Sequence, residues 1–236
     1  MVSGDRHVVD GGCLDVIDAI FTTRSMRRLR TDSIPEWVLW AILDAAIRGP
    51  SSGNVQRWGW VVVSDDEVKA EIASWYRDAW NSLGQRRGDR VRRFASRVNP
   101  ARSRRRSDTD PDADPNRSSG DHLANNMERA PVWIVVVQQG VSGEPGLVDG
   151  ADVYGAVQNL MLAARKHGVG STLTMLHRQR EQDVARLLGL PDDAATVALI
   201  PLGYPTGDFS TPRRRPVEEV THWGRWGRHR ERVKSE

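Results

Sequence analysis

Apolar positions recur along this chain in two rhythms, one helical and one extended. From Leu14 to Thr22 they fall at 14, 16, 17, 20 and 21, the spacing of a short helix. Ser33-Ile34-Pro35-Glu36 reads as a helix start, with Ser33 as N-cap, Pro35 in the first turn and Glu36 three residues after the cap. Trp37 to Arg48 then carries Ala and Leu on one face until Gly49-Pro50 stops it. Trp60 to Val63 reads as a short buried strand, and Glu67 to Leu83 as a helix with Ile72, Trp75, Tyr76 and Trp80 along it. Pro131 to Gln138 is continuously apolar, which predicts a strand covered on both faces. Asp149 to His167 has apolar residues on more than one stripe, so a central buried helix is expected, ended by Gly168-Val169-Gly170. A strand over Ser171 to Leu176, an amphipathic helix over Arg180 to Leu188 and a last central strand over Ala195 to Gly203 complete the series. Helices flank few strands without regular βαβ units, which predicts an α+β fold.

Two stretches break the rhythm. Gln85 to Arg106 is rich in arginine and Ser107 to Pro115 is rich in Asp and Pro, so 84–121 reads as an insertion, either a lid over the site or a solvated surface loop. Residues 204–236 are irregular and basic, with Trp223 and Trp226. Residues 1–12 read as a flexible leader without an apolar signal-peptide core, leaving 13–236 as one domain and a cytoplasmic location as the expectation. No apolar run approaches the ~20 residues that span a bilayer. The net charge of +3 does not imply a nucleic-acid partner. Twelve arginines lie between Arg77 and Arg117, but Asp108, Asp110, Asp112 and Asp114 offset them and no binding motif accompanies them. The single cysteine, Cys13, excludes an intrachain disulfide.

Candidate chemistry narrows the classes. There is no Gly-x-Gly-x-x-Gly after a strand, no His-Glu-x-x-His and no Gly-x-Ser-x-Gly. His167 and His177 have no acidic partner at ligand spacing, so no metal site is expected. No side chain is singled out as catalytic, which points to chemistry carried by a cofactor. Two clusters suit a phosphorylated, polyhydroxylated one. Arg24-Ser25-Met26-Arg27 offers guanidinium forks, and Pro50-Ser51-Ser52-Gly53-Asn54-Val55-Gln56-Arg57-Trp58 offers a tight turn of short hydroxyl and amide side chains.

With Gln158-Asn159-Leu160-Met161-Leu162-Ala163-Ala164, Gly168-Val169-Gly170-Ser171, Leu202-Gly203-Tyr204-Pro205 and Arg213-Arg214-Arg215-Pro216, these clusters stand in the order and spacing of a known family. The chain resembles the flavin-dependent nitroreductase family over most of its length. The resemblance implies a central, mostly antiparallel sheet surrounded by helices. It also implies an obligate homodimer with the flavin at the subunit interface and a C-terminal segment that extends over the partner. It implies FMN as cofactor, NADPH or NADH as co-substrate, and a nitroaromatic or quinone-like small molecule as electron acceptor. Arg24, Ser25 and Arg27 would meet the phosphate, the ribityl chain and the pyrimidine edge. Pro50, Ser51, Ser52 and Asn54 would come from the other subunit. Backbone at Leu173 and Thr174 would reach the flavin N5, and Arg214 and Arg215 of the 213–215 run would close over the phosphate. Two positions depart from the family pattern: Thr23 stands where a second arginine is frequent, and Arg57 where proline is. Alternatives are an FMN-sequestering protein without turnover, a reductive dehalogenase or a flavin-fragmenting enzyme.

Overall fold

The computed structural model describes residues 14–98, 115–141 and 146–232, without the side chains of 84–98, 115–118 and 147–149. The 1–12 leader and the middle of the 84–121 segment lie outside the described residues. In chain order the elements are α1 (Val16–Thr22), α2 (Glu36–Ala46), β1 (Trp58–Val63), α3 (Asp66–Val98), α4 (Pro115–Asn126), β2 (Val132–Gln139), α5 (Leu147–Lys166), β3 (Gly170–Ser171), α6 (Glu181–Leu187) and β4 (Ala194–Gly203). The strands form one sheet in the order β1-β2-β4-β3, every pair antiparallel. The α+β expectation holds.

The strongest apolar run explains the layering. In β2 every residue but the last is buried, and alternate side chains enter opposite layers. Val132, Ile134 and Val136, with Ala198, Ile200 and Leu202 of β4, pack with Ile42 of α2 and Val153, Val157 and Leu160 of α5. Trp133, Val135 and Leu199 face the other way, onto Ile72 and Tyr76 of α3, Leu123 of α4 and Val184 of α6. Register locks the alternation, with Ile134 opposite Ile200 and Val135 opposite Leu199. Leu160 is fully buried, so truncation to alanine costs about 2–5 kcal/mol.

Several boundaries differ from the pattern. The N-cap of α2 is Pro35, extended at ψ 140 and without a side-chain cap bond, so Ser33 caps nothing. β3 has two residues rather than six, and only Thr174 rejoins the sheet, by a bridge to Leu199. A 3-10 turn over Leu176–Arg180 draws the chain away. α3 continues to Val98, well past Leu83, because arginine is a good helix former. Asp65 caps its start by accepting from the Val68 N–H at 2.9 Å. Beyond β4 the chain is irregular, as its composition implies, and Trp226 is 89% exposed. No helix among the described residues is long and apolar enough to cross a membrane.

Candidate functional site

The arginine segment is laid along the free edge of β3 by backbone bonds. Ser25 bridges Ser171 in parallel, the Met26 N–H donates to the Ser171 carbonyl at 2.8 Å, and the Arg30 N–H donates to the Tyr204 carbonyl at 2.7 Å. Gly170 permits the approach, since a Cβ there would stand 2.9 Å from that of Met26. Met26 is buried, while Arg27 borders a cavity of about 630 Å³. The cavity lies between the turn at Thr172–Leu176 and the helices α3 and α4.

Its walls are mostly apolar: Trp80 and Leu83 from α3, Leu123 from α4, and Leu173 and Met175 from the turn. Gly120 admits the Trp80 ring, which a Cβ would meet at 2.4 Å, and the indole N–H donates to Asp121 Oδ1 at 2.7 Å. Polar groups are few and placed. The Thr174 hydroxyl donates to Tyr76 Oη at 3.0 Å. Burial pushes the Tyr76 phenol above its usual range, against smaller opposing effects of the Thr174 bond and the Arg27 charge. The Thr172 hydroxyl lines the cavity, is buried and has no hydrogen-bond partner among the described residues. Arg27 has no ion-pair partner among the described residues.

Behind the turn, His177 is fully buried, its Nε2 3.0 Å from Thr196 Oγ1. The Thr196 hydroxyl and N–H both donate to Glu181. That hydroxyl therefore accepts from His177, which carries its proton on Nε2. Burial, then the Arg178 charge, lowers the His177 pKa to about 3, so the ring is neutral. His167 meets the edge of Trp37 instead, at 5.6 Å between ring centroids. No cluster among the described residues suits a metal ion.

Of the residues singled out from the sequence, Arg27, Leu173 and Thr174 line this cavity, with Ser25 and Arg24 beside it on the same sheet edge. The rest stand elsewhere in the same chain. The Pro50–Asn54 turn precedes β1, at the other edge of the sheet, and is tied to α5: Ser52 N–H and Oγ donate to Asp152 Oδ1 at 2.8 and 2.7 Å. Gly49 abuts α5 so closely that a Cβ would lie 2.5 Å from the Ala156 nitrogen. Trp58 pairs with Gln138, which pairs with Ala195 near the start of β4, whereas Ser171 pairs with Leu202 near its end. Strand spacings near 4.8 Å and a rise near 3.3 Å per residue then separate the two clusters by some 20–30 Å. Asp152 lies fourteen residues before the end of α5, which independently gives about 20 Å. Arg214 and Arg215 are exposed, and Arg214 Nη1 donates only to the Arg213 carbonyl.

The turn itself is strained. Gly53, Asn54 and Gln56 all have positive φ, at 57°, 56° and 50°, and two non-glycine residues so placed within three positions are uncommon. Sequence reading missed Tyr76, Trp80 and Thr172 as cavity residues and Asp152 as the turn's anchor. The aromatic spacing along α3 was a usable signal; a partner a hundred residues away gives Asp152 none.

Known proteins share this fold and much of this sequence pattern. A 31% identical relative, a NADH dehydrogenase of Thermus thermophilus, aligns over 89% of this chain and 96% of its own length. The NADPH:FMN oxidoreductase of Vibrio harveyi, solved with NAD+, superposes with a TM-score of 0.63 at 20% identity, over 91% of this chain and 79% of that one. An iodotyrosine deiodinase bound to FMN and 3-iodo-L-tyrosine superposes with a TM-score of 0.62 at 20% identity, over 86% and 96%. The family description that matches residues 20–204 is the nitroreductase family. The chain belongs to the nitroreductase family and is an oxidoreductase.

Proposed function

We propose that this protein binds FMN at the Arg27–Thr174 cavity and uses NADPH or NADH to reduce a flat, electron-poor acceptor of the nitroaromatic or quinone class. The observation that carries the reading is a cavity of about 630 Å³ in which apolar walls surround a guanidinium, an unpaired buried hydroxyl and a short stretch of turn backbone. That donor set fits the group: Arg27 suits the pyrimidine edge, Thr172 and Ser25 suit hydroxyls or phosphate, and the turn backbone suits a ring nitrogen. Bound there, FMN would supply the hydride-transfer chemistry between the nicotinamide and the acceptor. The chain's own residues position and protect it. Arg27 places a positive charge where negative charge builds up on reduction. Tyr76, held protonated, keeps a donor at the wall, and Trp80, Leu123 and Met175 exclude water.

A second copy of the chain completes the site in this reading, bringing its Pro50, Ser51, Ser52 and Asn54 to the cavity. The separation of the two clusters within one chain supports it. So does the exposed apolar surface of Val16, Ile17, Ile20, Phe21, Trp37 and Trp40 on α1 and α2, which a soluble monomer rarely leaves uncovered. Arg24, Arg214 and Arg215 are then free to meet the phosphate.

The visible spectrum of the purified protein tests the cofactor: a yellow protein that NADPH or NADH bleaches without oxygen and a nitroaromatic recolours. A colourless protein that ignores added FMN removes the reading; a yellow one inert to both nicotinamides leaves flavin sequestration instead. Mixing Arg27→Ala copies with Ser52→Ala/Asn54→Ala copies tests the shared site, since each hybrid dimer keeps one intact site and an equal mixture regains roughly a quarter of all sites.

A further inference from the structure

A second cavity, of about 340 Å³, adjoins the first and shares Arg27 and Leu123 with it. Its charge is one-sided. Arg27, Arg28, Arg30 and Arg129 line it together with His122, and among the described residues no carboxylate does. Arg30 is compensated by Asp32 at 3.2 Å. Arg28 and Arg129, like Arg27, have no ion-pair partner among the described residues. Arg28 and Arg129 are exposed, so solvent screens much of their mutual repulsion, and a bound anion would offset the rest.

Backbone and ring contacts hold the cluster in place. The Thr206 N–H donates to the Arg28 carbonyl at 3.0 Å, so the arginine segment is fixed from both sides. The Arg28 guanidinium donates from Nη1 to His122 Nδ1 at 2.9 Å. A guanidinium cannot accept, so His122 keeps its proton on Nε2 and is neutral. Burial first, then the Arg28 and Arg129 charges, hold its pKa below the ordinary imidazole range. The ring thus orients Arg28 without adding charge. Glu128, next to Arg129 in sequence, is engaged by Arg77 at 3.3 Å and does not neutralise the cluster.

We propose that this second cavity is a binding site for a phosphate monoester dianion, separate from the flavin site. Forked guanidiniums match phosphate oxygens two at a time, and two negative charges offset the cluster better than one. Two sources share that chemistry. The cavity opens beside the first at Arg27, so the extra phosphate of NADPH can reach it from a nicotinamide in the main cavity; this source rests on the proposed oxidoreductase reading. Free inorganic phosphate is the other and needs no such reading.

Calorimetric titration of the full-length protein with inorganic phosphate and with adenosine 2′,5′-bisphosphate tests the site directly, whatever the flavin content. Both are expected to bind, and Arg28→Ala and Arg129→Ala each weaken binding about tenfold or more. Arg28→Lys keeps the charge without the fork and falls between. Unchanged circular dichroism and melting temperature show that the variants fold. If NADPH is the source, the ratio of KM for NADPH to KM for NADH rises by a similar factor in Arg28→Ala. If that ratio stays fixed while phosphate binding weakens, the site stands and free phosphate is its ligand. Phosphate binding that is absent at low salt, or equal in wild type and both alanine variants, overturns the proposal. A protein that binds phosphate but takes up no FMN refutes the flavin reading alone.

Discussion

The cavity beside β3 and the turn before β1 are built in opposite ways. The cavity side is finished within one chain: Tyr76, Thr174 and Leu173 are fixed by the sheet edge and by α3, and a buried network of His177, Thr196 and Glu181 stands behind the turn. The turn side is exposed, carries positive φ at Asn54 and Gln56, and is tied to the rest of the chain through Asp152. The Gln56 N–H donates to Ser51 Oγ and Gln56 Nε2 to Asn54 Oδ1, both at 3.1 Å, so the left-handed residues are held by bonds within the turn itself. The cavity side is therefore held by packing, and the turn side by hydrogen bonds, its own and that to Asp152.

The largest test of this contrast is chemical. Arg27→Ala is expected to weaken FMN binding about a hundredfold while leaving the melting temperature nearly unchanged, because a charge-assisted bond is lost and no packing is. Fluorescence titration with FMN measures it. A loss of stability with no change in affinity would place Arg27 in the scaffold instead.

Acid separates the two halves next. His177 has a folded pKa of about 3, below its ordinary 6.5. The unfolded chain therefore takes up the proton first, and stability is fully present above 6.5 and falls below it. The loss reaches about 3 kcal/mol by about pH 4.5. Urea unfolding across that range should show the slope in the wild type, and His177→Gln should flatten it. Relief of the turn comes third. Gln56→Gly removes the cost of a left-handed conformation and is expected to stabilise the chain by about 1 kcal/mol while lowering flavin retention. A gain in both would detach the strain from function. The smallest effect belongs to Asp152, whose carboxyl is held below its usual 3.8 by the Ser52 hydroxyl and N–H. That tie is present above the ordinary carboxylate pKa and is lost only as the pH falls through the lower folded value. Amide resonances of Ser52 should stay fixed while the cavity side already loosens below 6.5.

Sheet and helices were legible because their signals are local. The unbroken apolar run from Pro131 to Gln138 announced a strand covered on both faces, and the multi-striped apolar pattern of 149–167 announced the helix beneath it. The arginine segment and the serine turn were legible as chemistry. The end of α3 was not, since arginine-rich composition suits a helix and a solvated loop alike. Ser33 misled because a capping residue is recognisable by type while the cap itself is a backbone geometry, which Pro35 adopts.

By itself the sequence determined the α+β class and most of its elements, the absence of common nucleophile and metal motifs, and the residue types offered to a phosphorylated cofactor. Only the tertiary structure decided that Arg27 and Thr174 line one cavity at the same sheet edge while Ser52 is held at the opposite corner by Asp152. It alone decided that Arg28, Arg129 and His122 converge on a second, carboxylate-free cavity. Local patterns encode which elements form and which faces are buried. Which distant side chains become neighbours is set by strand order and register, and those emerge only when all the apolar faces are buried together.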